Sequence, residues 1–335
     1  MKNLIIVGSG LFGSICAFEL SKKYKVRVFE QRQHIGGNCF TEKQYGINVH
    51  KYGAHIFHTK NKLVWQYINK FSDFNNYVHK VFSRIGENLY PIPFNQLTYQ
   101  MVFGQKIFEL TVEQKEILFE KFIKEYSEKQ WGEKLNDIPL EIFQRLPIRY
   151  TLNNDYFENE YQGIPINGYT DIFERLLSEC EIVVDKKFTL SDYSKYDKYI
   201  FTGMVDELFE YKFGKLGYRY LNFVEEYLPI KDFQGNSVIN YPSKKVDFTR
   251  IIEHKHFEFN NCEGTIITKE FASNESGYPC YPINSKKNNE IYTKYVSFIK
   301  EYYPNIILGG RLGLYRYLNM DKIIELALTI KETLC

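Results

Sequence analysis

Near its N-terminus the chain runs from an apolar stretch, residues 4–7, directly into Gly8-Ser9-Gly10-Leu11-Phe12-Gly13. No other feature limits the fold as strongly. The stretch reads as a buried parallel strand, residues 14–20 as a helix, and residues 26–29 as a second strand ending at Glu30. Strand, G-x-G-x-x-G, helix, strand and acid in that order define a dinucleotide-binding unit. The glycines Gly8, Gly10 and Gly13 permit a tight turn and close approach of a pyrophosphate, with Leu11 and Phe12 at the mouth of the helix. The free N–H groups at the helix start attract the negative charge. Glu30, with Gln31 beside it, stands about 20 residues further on, where a carboxylate accepts from ribose hydroxyls.

The nature of the dinucleotide follows from what comes next. Gly36-Gly37-Asn38, a few residues after Glu30, resembles the flavin-binding pattern of the glutathione-reductase-like superfamily. Residues 198–202 then Gly203, and residues 306–308 then Gly309-Gly310-Arg311, read as later strands returning to the same cofactor. A simple nicotinamide-binding domain does not need that return, so FAD is favoured over NAD. A short basic-then-apolar leader could read as a signal peptide, but the glycines interrupt it and have the better explanation above. Lys plus Arg number 43 against 41 for Asp plus Glu, which leaves no electrostatic footprint for nucleic acid. The six cysteines form no C-x-x-C pair, as expected of a reduced, cytoplasmic chain. No run of about 18 apolar residues is present, so no membrane span is expected. The 28 Tyr and 27 Phe reflect either compositional bias or a polar pocket lined by stacking rings.

His50, His55 and His58 cluster in the stretch 49–59, but without an H-E-x-x-H or Cys/His set no metal is expected. The residues around them carry a resemblance instead. Gly36-Gly37-Asn38 followed by His50-Lys51-Tyr52-Gly53-Ala54-His55-Ile56-Phe57-His58-Thr59 is similar to the UDP-galactopyranose mutase family. So are Tyr126-Ser127-Glu128-Lys129-Gln130-Trp131-Gly132, Arg145-Leu146-Pro147-Ile148-Arg149, Asn153-Asn154-Asp155-Tyr156-Phe157 and Tyr161-Gln162-Gly163-Ile164-Pro165. Gln234-Gly235-Asn236, Arg250-Ile251-Ile252-Glu253-His254 and Gly309-Gly310-Arg311-Leu312 follow in the same order.

That resemblance implies interconversion of UDP-galactopyranose and UDP-galactofuranose through a reduced-flavin N5–sugar adduct, with no net redox change. FAD would be active in its reduced form, with NAD(P)H or another reductant activating it. By position Arg145 and Arg250 match arginines that hold the leaving diphosphate. Tyr156, Tyr281 and Tyr317 match tyrosines that hydrogen-bond it, Tyr126 the ring that stacks on uracil, and Trp131 a residue beside the sugar. His55 and His58 match residues near the flavin and the sugar, and Asn240 an asparagine of the sugar pocket. Arg311, Tyr317, Asn319 and Met320 would return to the cofactor. His79 and Asn319 stand where some members carry Asn and Asp, respectively; each can still hydrogen-bond. Read from the residues alone, Tyr126 and Trp131 are one-sided helix aromatics and the arginines surface charges.

The expected architecture is α/β: a glutathione-reductase-like, FAD-binding Rossmann domain with an antiparallel sheet layer and a small, reduced helical domain. The FAD domain would take residues 1–74, 170–215 and 286–335, the helical lid 91–145, and the sheet and substrate domain 75–90, 146–169 and 216–285. The lid segment is about two dozen residues shorter than in bacterial members, with one strong helix starting at a Thr111–Gln114 capping box. Because that domain contributes to dimer contacts in the family, a homodimer stays an open expectation. Residues 292–302 and 320–334 read as closing helices. Three alternatives stand beside the mutase: a UDP-N-acetylgalactosamine-type mutase, a flavin oxidoreductase of the same fold, and a flavin-free protein like the Rab GDP-dissociation inhibitors.

Overall fold

A computed structural model describes residues 1–132 and 147–334. The N-terminal unit is built on β1 (Lys2–Val7), α1 (Leu11–Leu20) and β2 (Tyr24–Phe29). Leu4, Ile5 and Ile6 are fully buried on both faces of their strand, which is why the apolar run does not alternate. β1 pairs in parallel with β2 on one side and with β10 (Lys198–Phe201) on the other. β9 (Glu181–Val183) and β16 (Ile306–Leu308) complete a five-stranded parallel sheet in the order β16-β10-β1-β2-β9. Residues nearly 200 positions apart in sequence, such as Val7 and Phe201, therefore end side by side, and Val7, Phe29, Phe201 and Leu308 close four neighbouring strands. α1 begins at Leu11 rather than 14, because extended Gly10 already accepts the first helical bond from Ser14 N at 2.9 Å. Against α1 pack α6 (Tyr169–Leu177) and α10 (Met320–Leu334). α6 buries Tyr169, Ile172, Phe173, Leu176 and Leu177, a clean helical stripe.

The second layer is a seven-stranded sheet in the order β15-β11-β14-β13-β12-β6-β7. Its strands are β6 (Val81–Ile85), β7 (Asn88–Ile92), β11 (Tyr218–Leu228), β12 (Val238–Asn240), β13 (Arg250–Glu253), β14 (Thr265–Ser273) and β15 (Tyr278–Pro282). The layer is antiparallel at every pairing but one, β12 running parallel to β6. The two strands are far apart in the chain, so no hairpin turn forces them to oppose. Among the described residues, segment 147–169 contributes no strand to this sheet. Its β8 (Tyr161–Gly163) pairs instead with β5 (Phe57–Thr59), opposite His58. β3 (Thr41–Gln44) and β4 (Ile47–His50) form a separate hairpin.

The helical segment holds more than the one helix expected. α3 (Gln96–Phe103) opens with an Asn95–Thr98 capping box and closes on left-handed Gly104. After it, α4 (Val112–Leu118) starts at the anticipated Thr111–Gln114 box, passes through a π-helical stretch over residues 119–124, and continues as α5 (Glu125–Trp131). α8 (Lys286–Tyr302) starts earlier than expected, behind a Ser285 cap that accepts from Asn288 N. The short helices α2 (Lys62–Ile68), α7 (Val205–Leu208) and α9 (Gly310–Gly313) fill the remaining connections. Among the described residues no helix is long and apolar enough to cross a membrane.

Candidate active site

A cleft of about 1280 Å³, solvent mouth included, opens where the four strand ends meet. Gly8, Gly10, Leu11, Phe12, Gly13, Glu30, Gln31, Gly37, Asn38, His55, Arg311 and Met320 all line it. Tyr317 and Asn319, both exposed, are not among its lining, though Tyr317 packs against Arg311. The glycine loop is shaped by its neighbours rather than by turn preference alone. A Cβ on Gly13 would collide with the carbonyl oxygen of Gly8, so only glycine lets α1 sit against β1. Gly37 holds φ +56°, and a Cβ there would stand 2.9 Å from the Cα of Gly10. The two glycine turns therefore face each other as bare backbone, a cradle that admits a pyrophosphate.

Glu30 is buried, and both its oxygens are engaged. Oε2 accepts from Ser9 N at 2.9 Å and Ser9 Oγ at 2.7 Å, while Oε1 accepts from Arg32 N at 2.9 Å. Each carboxylate oxygen retains acceptor capacity toward a ribose. Arg32 Nη1 and Arg311 Nε are buried without a hydrogen-bond partner among the described residues. Two unspent cationic donors at a backbone-lined cleft suit an anionic dinucleotide. Sequence reasoning missed Lys186, Lys187, Met204, Pro279 and Cys280, which also line the cleft. The Thr202-Gly203 turn signalled the β10 side; nothing local marks the others, because only sheet order brings them there.

The second half of the site lies where α5 meets the seven-stranded sheet. Asn240 and Arg250 are direct partners across β12 and β13. Arg250 Nη2 donates to Tyr126 Oη at 2.5 Å, and its Nε stands 3.4 Å from the carboxylate of buried Glu270. Burial works against the Arg250 charge, and Glu270 and Tyr126 more than offset it, so the guanidinium stays firmly protonated. Asn240 Oδ1 is buried with no partner among the described residues. Trp131 lies 6.5 Å from Tyr281, which stacks on Tyr317 at 5.5 Å. Arg311 lies over both tyrosine rings, 5.4 and 5.1 Å from their centroids. It thus ties this aromatic wall to the dinucleotide cleft. Glu270 was not anticipated from sequence, since a lone acid in a strand carries no signal.

The histidines form a chain of defined tautomers. His55 Nδ1 lies 2.8 Å from the Gly53 carbonyl, which can only accept, so Nδ1 carries the proton and Nε2 is bare. His50 Nδ1 accepts from His55 N, and His254 Nδ1 from His50 N, each at 3.2 Å. His254 Nε2 then donates to Thr268 Oγ1 at 2.7 Å. Burial lowers His55 to about 4 and both His79 and His254 to about 3, so all are neutral at physiological pH. His58 stacks on Phe157 at 3.6 Å, and Phe157 packs on His79 at 5.6 Å. His79 lies 5.4 Å from Tyr156 and shares a 2.9 Å hydrogen bond with Tyr77 Oη. Arg145 lies outside the described residues. Arg149 is buried and ion-pairs with Glu158 at 2.8 Å. Among the described residues, His50, His55 and His58 belong to no group of three or more potential metal ligands. The one group of metal-ligand type among the described residues is Asp232, Glu253 and His256. There Glu253 already accepts from Phe233 N, Gln234 N and Thr265 Oγ1.

Comparison with known proteins places this geometry. Residues 121–317 match the family model for UDP-galactopyranose mutase, and residues 6–71 match one for NAD(P)-binding Rossmann-like domains. The chain is 34% identical to a "Probable UDP-galactopyranose mutase" of Klebsiella pneumoniae, over 98% of this chain and 93% of that protein. It is also 34% identical to a dTDP-fucopyranose mutase of Escherichia coli, over 98% and 97%. Among solved structures it superposes on reduced UDP-galactopyranose mutase with a TM-score of 0.78 at 14% identity, covering 100% of this chain and 94% of the other.

Proposed function

The chain belongs to the UDP-galactopyranose mutase family of flavin-dependent isomerases, and from that premise we propose that it interconverts UDP-galactopyranose and UDP-galactofuranose with no net redox change. The observation that carries this reading is Arg250. It is a cation held between Tyr126 and Glu270, one strand from the unpartnered Asn240 oxygen and connected through the Tyr281–Tyr317–Arg311 wall to the dinucleotide cleft. A hydride-transfer enzyme has no use for a diphosphate clamp there.

The cleft residues fit FAD. Gly8, Gly10, Gly13 and Gly37 would receive the pyrophosphate on bare backbone, Glu30 the ribose, and Arg32 and Arg311 the remaining polar edge. Bound and reduced by NAD(P)H or another reductant, FAD would supply a nucleophilic nitrogen to the anomeric carbon. The chain's own residues do the rest. Tyr126 and Trp131 stack on the uracil and sugar side, which fixes the substrate without demanding new ordering. Arg250, with Arg145 as the second cation and Tyr156, Tyr281 and Tyr317 as hydroxyl donors, takes up the charge that grows on the departing diphosphate. His55, which lines the cleft and keeps Nε2 bare, would hold the flavin side as a hydrogen-bond acceptor. His58 receives and returns the proton of a ring hydroxyl, with its Nδ1 held 3.2 Å from Asn159 Oδ1. Asn240 Oδ1 accepts from a sugar hydroxyl that satisfies its buried lone pairs.

The equal identity to the dTDP-fucopyranose mutase supports a second reading, in which the sugar lacks the C6 hydroxyl and the carrier is a thymidine nucleotide. The test is one panel. Protein purified with its flavin and reduced with dithionite is given UDP-galactopyranose, UDP-N-acetylgalactosamine and dTDP-fucopyranose. Furanose product from the first at the highest kcat/KM supports the proposal. Preference for either of the others moves the assignment to that sugar. NAD(P)H consumed one-for-one with product would replace the mutase with an oxidoreductase.

A further inference from the structure

Lys129 lies on α5, between Tyr126 and Trp131, and does not point at either the cleft or the diphosphate clamp. Its Nζ instead sits inside the loop that joins Asn240 to Arg250. It lies 2.6 Å from the carbonyl of Tyr241, 2.9 Å from Ser243, 3.1 Å from Val246 and 2.8 Å from Phe248. An ammonium has three N–H bonds, so four acceptors mean that one proton is shared. Four carbonyls turned inward from one loop make the solvation shell of a cation built from main chain. A loop wound in this way depends on its central charge, because without it four partly buried carbonyls face one another unpaired. Burial pulls the Lys129 pKa down to about 8, while the carboxylates of Glu125 and Asp247 oppose loss of its proton.

The same helix grips the loop twice more. Glu125 Oε2 accepts from Lys244 N at 3.0 Å, and Glu128 pairs with Lys244 Nζ at 2.5 Å. The carbonyls of Lys129 and Gln130 are in turn held by Arg219 of β11. The ends of this loop are Asn240 and Arg250, the cross-strand pair of the site. The helix carries Tyr126, which bonds Arg250, and Trp131, which faces Tyr281.

We propose that Lys129 is a positioning residue: its ammonium acts as an internal cation that winds the 241–249 loop around itself and so sets the spacing between the Tyr126–Trp131 face and the Asn240–Arg250 pair. This inference rests on the reading above that a nucleotide sugar binds between those two faces. Since Lys129 touches neither, its loss should weaken substrate binding more than turnover.

The experiment compares wild type with Lys129→Met, which keeps the stem and removes the charge, and Lys129→Ala, which leaves room for ethylammonium. Hydrogen exchange of the 241–249 amides is followed alongside KM, kcat and quenching of Trp fluorescence by UDP. Lys129→Met should exchange faster across that loop and raise KM and the UDP dissociation constant by about 10–100-fold, with kcat within a few-fold and the flavin spectrum unchanged. Ethylammonium should restore part of the KM of Lys129→Ala and leave wild type unaffected. Unchanged loop exchange, unchanged KM, or parallel loss of kcat and flavin without amine rescue would overturn the proposal. If wild type binds no nucleotide sugar of the panel, the functional reading has failed, and loop exchange with amine rescue of that exchange still decides the role of Lys129.

Discussion

Lowering the pH from 7 to 5 should strip stability from this protein through its buried histidines. His50, His55, His79 and His254 are each driven below the ordinary imidazole range, chiefly by burial. Their hydrogen bonds also fix the neutral form, since His50 and His254 each accept a backbone N–H at Nδ1. The sign follows directly. In the unfolded chain each takes up a proton near 6.5, while in the folded chain His55 waits until about 4, His79 and His254 until about 3, and burial shifts His50 in the same direction. Stability is therefore whole above 6.5 and is lost as the pH falls toward the folded values. At pH 5.5 each unfolded imidazole holds about 0.9 of a proton that folded His55, His79 and His254 lack, giving roughly 2.7 protons and about 4 kcal/mol per pH unit from these three, to which His50 adds. His34 and His58, also lowered by burial, add in the same direction, whereas His256, raised by its bond to Glu253, and Asp206 and Glu258, raised by burial, act in the opposite one, so an uptake of roughly 2–3 protons should be observed. Urea unfolding at pH 7, 6 and 5.5 with fixed saturating FAD measures the slope. His254→Gln should lower the uptake by about 0.9 proton. A wild-type uptake below about one proton, or a His254→Gln slope equal to that of wild type, would refute the claim that the folded site holds these imidazoles neutral.

Arg250→Ala should retain flavin and lose about 10²–10³ in kcat/KM, since one charge-assisted contact to the developing diphosphate is removed; steady-state kinetics on the preferred sugar nucleotide decides it. Arg149→Ala should instead lower the melting temperature with a smaller loss of turnover, because its guanidinium is spent on Glu158 and the carbonyls of Asp155 and Tyr156. Gly13→Ala should abolish flavin binding, as the new methyl meets the Gly8 carbonyl and pushes α1 off β1; flavin absorbance of the purified variant reads this out. Activity should require reduced flavin and leave NAD(P)H unconsumed in proportion to product, which a count of turnovers per reducing equivalent checks.

The dinucleotide unit was legible in the sequence because its physics is local. A strand, a turn that only glycine can make and a helix start lie within about a dozen residues, and Glu30 follows one strand later. The capping box at Thr111–Gln114 was readable for the same reason, and α3 escaped notice only because its cap is the less obvious Asn95–Thr98 pair. The proposed substrate half rests on resemblance to a family, residue by residue, and not on any pattern of spacing. What tertiary structure alone decided is everything set by sheet order. β12 joins β6 in parallel, Asn240 meets Arg250, and buried Glu270 from the next strand holds the guanidinium. The tautomer of His55 depends on where the Gly53 carbonyl points, that of His50 on the N–H of His55, and Lys129 finds its four oxygens more than a hundred residues downstream. Such contacts have no sequence signature, because a carbonyl oxygen is common to every residue and its direction is fixed only when strands and loops have taken their places.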